Sequence, residues 1–222
     1  MKVYSLYFII KALQEDMIRK YAHYLKGKVL DAGCGMRPYK GFLVTSNEYV
    51  GMDGCLALKP DVVGRAQDIP FKDESFDSVL CTEVLEHLPE VEAGIKQIKR
   101  VLKKEGYLYV TVPQEWCLHY EPDDYFRFTK YGIKYLLEKN EFKIITIERI
   151  GGIFSLVGQR IIDVFWKRAV YSLKPILGLS WSERLVALIC TPLSVLFYLL
   201  AKLADRIDQD DALGWAVLAK KV

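Results

Sequence analysis

The segment Val29-Leu-Asp-Ala-Gly-Cys-Gly35 constrains this chain more than any other. An apolar run ends in a turn with two glycines, where backbone without side chains approaches a ligand closely. Such a turn needs a buried strand before it, and the chain supplies a series of them. Short β-rich runs (KVLDAG, EYVGMD, DVVG, FDSVLC, YLYVTV, FKIITIERI) alternate with helical stretches. The clearest helix covers 90–103, with Val91, Ile95, Ile98, Val101 and Leu102 on one face. A second covers 129–140, with Thr129 as N-cap and Asn140 as its stop. This alternation predicts a doubly wound, mostly parallel α/β sheet. One link is anomalous, because only seven residues separate Asp53 from Asp61. That is too short for a crossover helix. Either the link is bare loop or one of its two strands is vestigial.

The flanks depart from this rhythm. Val3, Leu6, Tyr7, Ile10, Leu13, Met17, Tyr21, Tyr24 and Leu25 form one apolar stripe, which predicts an amphipathic N-terminal helix within 1–27. Residues 151–212 are strongly apolar, punctuated by Pro175 and Pro192, and include the longest uncharged run, 185–201. After the acidic turn DQDD, GWAVLAKK has the pattern of a final strand. The expected organisation is a sheet domain over 28–150, resumed at 213–222, with an apolar helical insert at 151–212.

Composition excludes several classes. At 51% hydrophobic and 27% charged residues the chain is globular. A net charge of +3 carries no nucleic-acid footprint. The five cysteines are scattered and form no C-x-x-C pair, which points away from zinc and disulfides and towards a reducing, cytoplasmic setting. No metal site is expected. Lys11 cuts the apolar start short, so a signal peptide is not expected either. In the glycine turn, G-x-G-x-x-G would place its third glycine at Pro38, so the dinucleotide fingerprint is incomplete. Asp31, two residues before Gly33, suits a cationic or amine-bearing ligand better than a pyrophosphate. Both points weaken a nicotinamide-dependent oxidoreductase.

On these residues the turn resembles the nucleotide-binding loop of class I S-adenosylmethionine-dependent methyltransferases. IPFKDESFDSVLCTEVLEHLPE resembles the type-11 subgroup, which includes quinone-biosynthesis and sugar-modifying enzymes. The resemblance covers roughly 28–150 and resumes at 213–221. It implies a Rossmann-like seven-stranded sheet with an antiparallel last strand, methyl transfer, and S-adenosyl-L-methionine as cofactor. It places Asp53 on the ribose hydroxyls and Asp68 at the adenine amino group. Asp31, Gly33, Cys34, Gly35, Gly54, Ile69 and Thr82 complete the expected cofactor site. Arg37 replaces the third glycine common in the family's loop, a departure that bears on the shape of the adenosine cradle.

A hydroxyl or ammonium acceptor must lose a proton, so a base near neutral pKa assists. His87, after the fourth strand, and His119, after the fifth, are the candidate catalytic residues. His87 suits equally a loop-fixing hydrogen bond. The segment 114–128 mixes aromatic faces, acids and an arginine, a composition suited to a small polar substrate. It resembles the "His, then Asp-Tyr-x-Arg-x-Thr" stretch of the family's sugar- and metabolite-modifying branch. Glu83, Trp116, Tyr120, Tyr125 and Arg127 are the substrate-binding candidates, although Arg127 suits equally a clamp onto Asp123 or Asp124. Thr111-Val-Pro-Gln stands where nucleobase-modifying enzymes carry Asn/Asp-Pro-Pro-Tyr. The expected acceptor is therefore a small or lipid- or sugar-linked molecule and not nucleic acid. The alternative is a cofactor-binding, non-catalytic, membrane-associated partner protein; Asp31, Gly33, Gly35, Asp53 and Asp68 together favour the enzyme. A membrane crossing needs about 20 apolar residues, and Pro192 interrupts the run of 17. The insert is thus expected to lie peripherally on the inner face of a membrane, with a lid or a homodimer face as rivals.

Overall fold

The computed structural model describes residues 7–205 and 210–222, in two compact units. One comprises 7–16 with Ile150–Leu213; the other runs from Met17 to Arg149 and regains Gly214–Val222.

The sheet contains β1 (Gly27–Ala32), β2 (Ser46–Asp53), β3 (Val62–Val63), β4 (Phe76–Thr82), β5 (Leu102–Pro113), β6 (Phe142–Ile150) and β7 (Gly214–Lys221). Their order is β3-β2-β1-β4-β5-β7-β6. Strands β1 to β5 pair in parallel, and β7 runs antiparallel to β5 from Tyr107↔Lys220 to Pro113↔Gly214. This is the doubly wound, mostly parallel seven-stranded sheet with an antiparallel last strand. Its central strands are covered on both faces: Val29, Leu30, Val79, Leu80 and Val110 are fully buried. A strand covered on both faces gives a continuous apolar run and no alternation.

The anomalous link satisfies both alternatives. It is a single 3-10 turn, Leu56–Leu58, and β3 is only two residues long. Arg37 secures it. Held at φ +57, Arg37 donates to the Lys59 carbonyl (2.8 Å) and pairs with Asp61 (2.9 Å). Asp61 in turn accepts from the Gly51 N–H (2.8 Å). Two departures from the family pattern are one local device.

The helices need two corrections. α1 (Phe8–Tyr21) ends earlier than its stripe suggests, and Ala22–Tyr24 form a 3-10 turn; Val3 and Leu6 lie outside the described residues. α2 (Val91–Val101) stops before Leu102, which already pairs with Phe76 on β4. Sheet pairing outranks the helical spacing there, because Leu102 is fully buried in the strand. α3 (Lys130–Lys139) is capped as expected: Thr129 Oγ1 accepts from the Gly132 N–H (3.0 Å), and Asn140 closes it.

In the other unit the insert is a hairpin of two long helices, α4 (Ile153–Leu177) and α5 (Leu179–Ala204), joined at Gly178. Pro175 and Pro192 sit within these helices without ending them. Ile162, Val186 and Cys190 form the buried seam, with Trp166, Leu173 and Leu193 packed against it. A Cβ on Gly158 would stand 2.6 Å from the Phe197 ring, so the two helices nearly touch at that level. Asp205 caps α4 by accepting from the Phe154 N–H (2.8 Å). Asp16 of α1 accepts from the Tyr198 hydroxyl (2.7 Å) and pairs with Lys202 (2.9 Å) on α5. The unit boundary falls inside α1, where the sequence suggested a separate helix over 1–27. Of the acidic turn, residues 208 and 209 lie outside the described residues.

Candidate active site

The carboxyl ends of β1 and β2 are knit together through backbone. The Gly33 and Cys34 N–H groups both donate to the Met52 carbonyl (2.8 and 2.9 Å), and the Gly35 N–H donates to Asp53 Oδ2 (2.9 Å). Asp53 Oδ1 accepts from the Cys55 N–H (2.8 Å), so its carboxylate is held from two sides. Gly33 has φ +82, and a Cβ there would lie 2.2 Å from Val84 Cγ2. Gly35 has φ +51, yet a Cβ there would meet nothing within 4 Å. The first glycine admits the turn, and the second faces open space. Cys34 is buried, and burial pushes its thiol up to about 11. It is a packing residue beside the cradle.

Asp31 is the informative acid. It is 1% exposed, and Oδ2 accepts from the Tyr49 hydroxyl (2.6 Å), whereas Oδ1 has no partner. Burial raises its pKa to about 7, against the lowering effect of the Tyr49 hydrogen bond. Burial, and then the charge of Asp31, push the Tyr49 phenol upward, so Tyr49 remains a donor. A buried acceptor without a donor is uncommon. An amine-bearing ligand would satisfy it. The orphaned oxygen, the open cradle at Gly35 and the oriented Asp53 carboxylate together fit S-adenosyl-L-methionine.

The other cofactor candidates are less closely joined. Asp68 is exposed, in a short turn where its N–H donates to the Arg65 carbonyl (2.9 Å). Ile69 is buried beneath that turn, Gly54 follows β2 exposed, and half-buried Thr82 ends β4 opposite Thr111.

Beyond β5 the loop 114–128 is fastened at several points. The Trp215 indole N–H donates to Gln114 Oε1 (2.8 Å), and the Phe128 N–H donates to the Pro113 carbonyl (2.8 Å). The Tyr125 and Phe126 N–H groups donate to the Glu86 carbonyl (2.9 and 3.2 Å). Arg127 makes a two-pronged pair with Asp124 (2.7 and 2.8 Å) and reaches the carbonyls of Trp116 and Cys117. That pair holds the Asp124 carboxyl well below the usual carboxylate range. Arg127 is placed as a loop clamp, and the substrate-contact role given to it has no spare geometry here. Tyr125 donates to Asp123 (2.9 Å). Tyr120 is largely exposed, with its ring 5.3 Å from that of His87. Glu83, at φ +52, accepts from the Thr111 hydroxyl (2.7 Å).

The fold brings the two histidine candidates together, with ring centroids 4.8 Å apart. His87 Nδ1 meets the Asp123 carbonyl at 2.6 Å. His119 Nδ1 lies 3.2 Å from the Cys117 carbonyl and 3.3 Å from Asp124 Oδ2. Burial lowers the His119 pKa despite the pull of Asp124. Two residues of this region escaped sequence reasoning, Tyr49 and Glu86, whereas Asp124 is one of the two clamp partners expected for Arg127. Glu86 carried one signal, a carboxylate immediately preceding a candidate base. The partnership of Tyr49 with Asp31 depends on strand register.

The profile of the methyltransferase domain family matches residues 30–110, the stretch from β1 through most of β5. This stretch, a little over a third of the chain, is similar to a methyltransferase domain. Sterol 24-C-methyltransferase ERG6B of Gibberella zeae is 35% identical over 135 residues, which cover 48% of this chain and 35% of that protein. The chain spans less than half the length of the curated relatives it matches first. Among solved structures, a SAM-dependent methyltransferase from Archaeoglobus fulgidus superposes with a TM-score of 0.60 at 20% identity, over 95% of this chain and 94% of that one. The Burkholderia thailandensis 1,6-didemethyltoxoflavin-N1-methyltransferase, solved with S-adenosylhomocysteine, gives 0.57 at 13% identity, over 96% and 78%. These likenesses show the fold, and the family matched over 30–110 implies S-adenosyl-L-methionine as methyl donor.

Proposed function

We propose that the chain transfers a methyl group from S-adenosyl-L-methionine to a small, lipid- or sugar-linked acceptor at a membrane surface. The observation that carries the first half is the unpartnered Asp31 Oδ1 beside the open glycine cradle. Asp31 would hold the amine of the cofactor, Gly33 to Gly35 would admit its chain, and Asp53 would accept from its ribose hydroxyls. Bound there, the cofactor supplies an electrophilic methyl group on a sulfonium. The residues of the chain bind and orient, which in well-aligned systems lowers a barrier by about 7–11 kcal/mol. His87 and His119, on the acceptor side, deal with the acceptor's proton.

The hairpin supports the second half. Leu185, Leu188, Ile189, Leu196, Leu199 and Leu203 form an exposed stripe along α5. Phe154, Val157, Ile161, Val164 and Phe165 form another along α4. Trp181–Ala204 is long and apolar enough to cross a membrane by length and composition. Between 153 and 204 there are six Lys and Arg against two acids, and the Arg184 guanidinium lies 5.2 Å over the Trp181 ring. A basic, Trp-bearing, exposed apolar surface matches an anionic lipid interface. The relative named for a sterol substrate agrees with an apolar acceptor.

Calorimetry with S-adenosylhomocysteine tests the cofactor site, and flotation with vesicles of phosphatidylglycerol and phosphatidylcholine tests the surface. Heat with the sulfur ligand and none with NAD is the expected result. Tight NAD binding, or no heat with the sulfur ligand, sinks the first half. A protein that stays monodisperse without detergent and never floats sinks the second and leaves a lid; a stable dimer that never floats leaves a homodimer face.

A further inference from the structure

Glu86 is the least explicable side chain in the sheet unit. It is fully buried, and neither carboxylate oxygen has a hydrogen-bond partner. Burying an ionised carboxylate without donors is among the costliest arrangements in a protein. The nearest cationic candidate, His87 Nε2, is 3.7 Å from Oε1, too long for a hydrogen bond.

The imidazoles complete the picture. The Asp123 carbonyl against His87 Nδ1 only accepts, so this nitrogen carries the hydrogen, and Nε2 of the neutral ring keeps its lone pair. The Cys117 carbonyl and the Asp124 carboxylate impose the same tautomer on His119. One ligand atom from each of Glu86, His87 and His119 lies within 4.8 Å of the others. One carboxyl and two imidazoles therefore converge, and second partners already fix both rings. A ring nitrogen held by a carbonyl or carboxylate while the other stays free is the usual preparation of a metal-ligating histidine.

We propose that Glu86, His87 and His119 bind a divalent first-row metal ion such as Zn²⁺ or Co²⁺. Two imidazoles with one carboxylate favour these ions over Ca²⁺ or Mg²⁺, which prefer oxygen alone. Ligand atoms at ordinary bond lengths stand about 3–3.5 Å apart around such an ion. The set must therefore contract by about 1 Å, a movement within reach of the partly exposed His119 ring. Three protein ligands leave a position for an oxygen of the acceptor. A hydroxyl bound there would be acidified as metal-bound water is, its proton passing to solvent. In that arrangement the histidines act as ligands and not as free bases, and this role, unlike the site itself, rests on the methyltransferase reading. Cysteine spacing, which led the sequence analysis to expect no metal, is blind to a carboxylate-imidazole set.

The test uses untagged, full-length protein stripped by chelator and titrated with Co²⁺ while visible absorption is followed. Expected are d–d bands saturating at one Co²⁺ per chain and displaced by one Zn²⁺. Glu86→Gln and His119→Ala should each weaken uptake more than about 100-fold, beyond the loss typical of outer-shell changes. If Glu86→Gln fails to fold, His119→Ala on its partly exposed ring decides. No uptake by folded wild-type protein, or equal uptake by both variants, overturns the site. S-adenosylhomocysteine calorimetry on the same samples separates the two readings. Retained heat without metal uptake removes only the metal, and uptake without heat removes only the methyltransferase role.

Discussion

Along β4 and β5 the apolar side chains are withdrawn from solvent, Val79, Leu80, Leu108 and Val110 being all but fully buried. Along α5 they are divided. Val186, Ala187 and Cys190 are buried in the hairpin seam, whereas Leu185, Leu188 and Ile189, their immediate neighbours in sequence, are 43–68% exposed. Composition is similar in the two places; the number of covering layers differs. A parallel strand in this fold has helices or other strands on every side, while a two-helix hairpin covers only one face of each helix. An exposed apolar face of this extent needs a partner or a bilayer.

The largest effect that would sharpen this contrast is a charge placed on either face of α5. Val186→Glu should lower unfolding free energy by about 3–5 kcal/mol, as an uncompensated buried charge does. Leu188→Glu should stay within about 0.5 kcal/mol of wild type in denaturant unfolding, yet abolish flotation. Equal destabilisation by the two would mean that α5 is covered on both faces.

Within the sheet unit, Gly33→Ala forces a side chain onto a backbone at φ +82 and into Val84. Thermal unfolding should show a loss of about 2–4 kcal/mol, with S-adenosylhomocysteine heat abolished. Gly35→Ala, facing open space, should lose less stability and still impair binding.

A further effect is a pH dependence. Because Asp31 has a pKa of about 7 when folded and an ordinary carboxylate value when unfolded, the unfolded chain ionises first. Its contribution to stability is therefore complete at low pH and falls as pH rises, levelling off above about 7. Binding runs the other way. An ammonium-bearing ligand takes the ionised form, so its affinity should drop about tenfold per pH unit below 7. Asp31→Asn should flatten both profiles in calorimetry and urea titration. An unchanged binding profile would show that Asp31 does not meet the amine.

Much of the sheet was legible in sequence because strand, glycine turn and cap are local events. The run 29–35 announces a strand and a tight turn, and Thr129 announces a helix start, through residues only a few positions apart. The final strand was equally plain in GWAVLAKK, although its antiparallel place between β5 and β6 came from the family resemblance. The end of α2 was not legible. Leu102 fits a helical stripe perfectly well, and only its pairing with Phe76, a residue distant in sequence, claims it for β5.

The sequence by itself determined the fold class, the likeness to a methyltransferase domain and the position of the glycine turn. These follow from hydrophobic period, glycine conformation and motif order, all written along the chain. Tertiary structure alone decided that Tyr49 would silence one oxygen of Asp31 and leave the other open. It also made Arg127 a clamp and set a donorless Glu86 beside two histidines, one of them 33 residues away. The physical reason is that desolvation and hydrogen-bond satisfaction are properties of a place in space. A carboxylate written in a sequence has no pKa of its own until the fold decides what surrounds it.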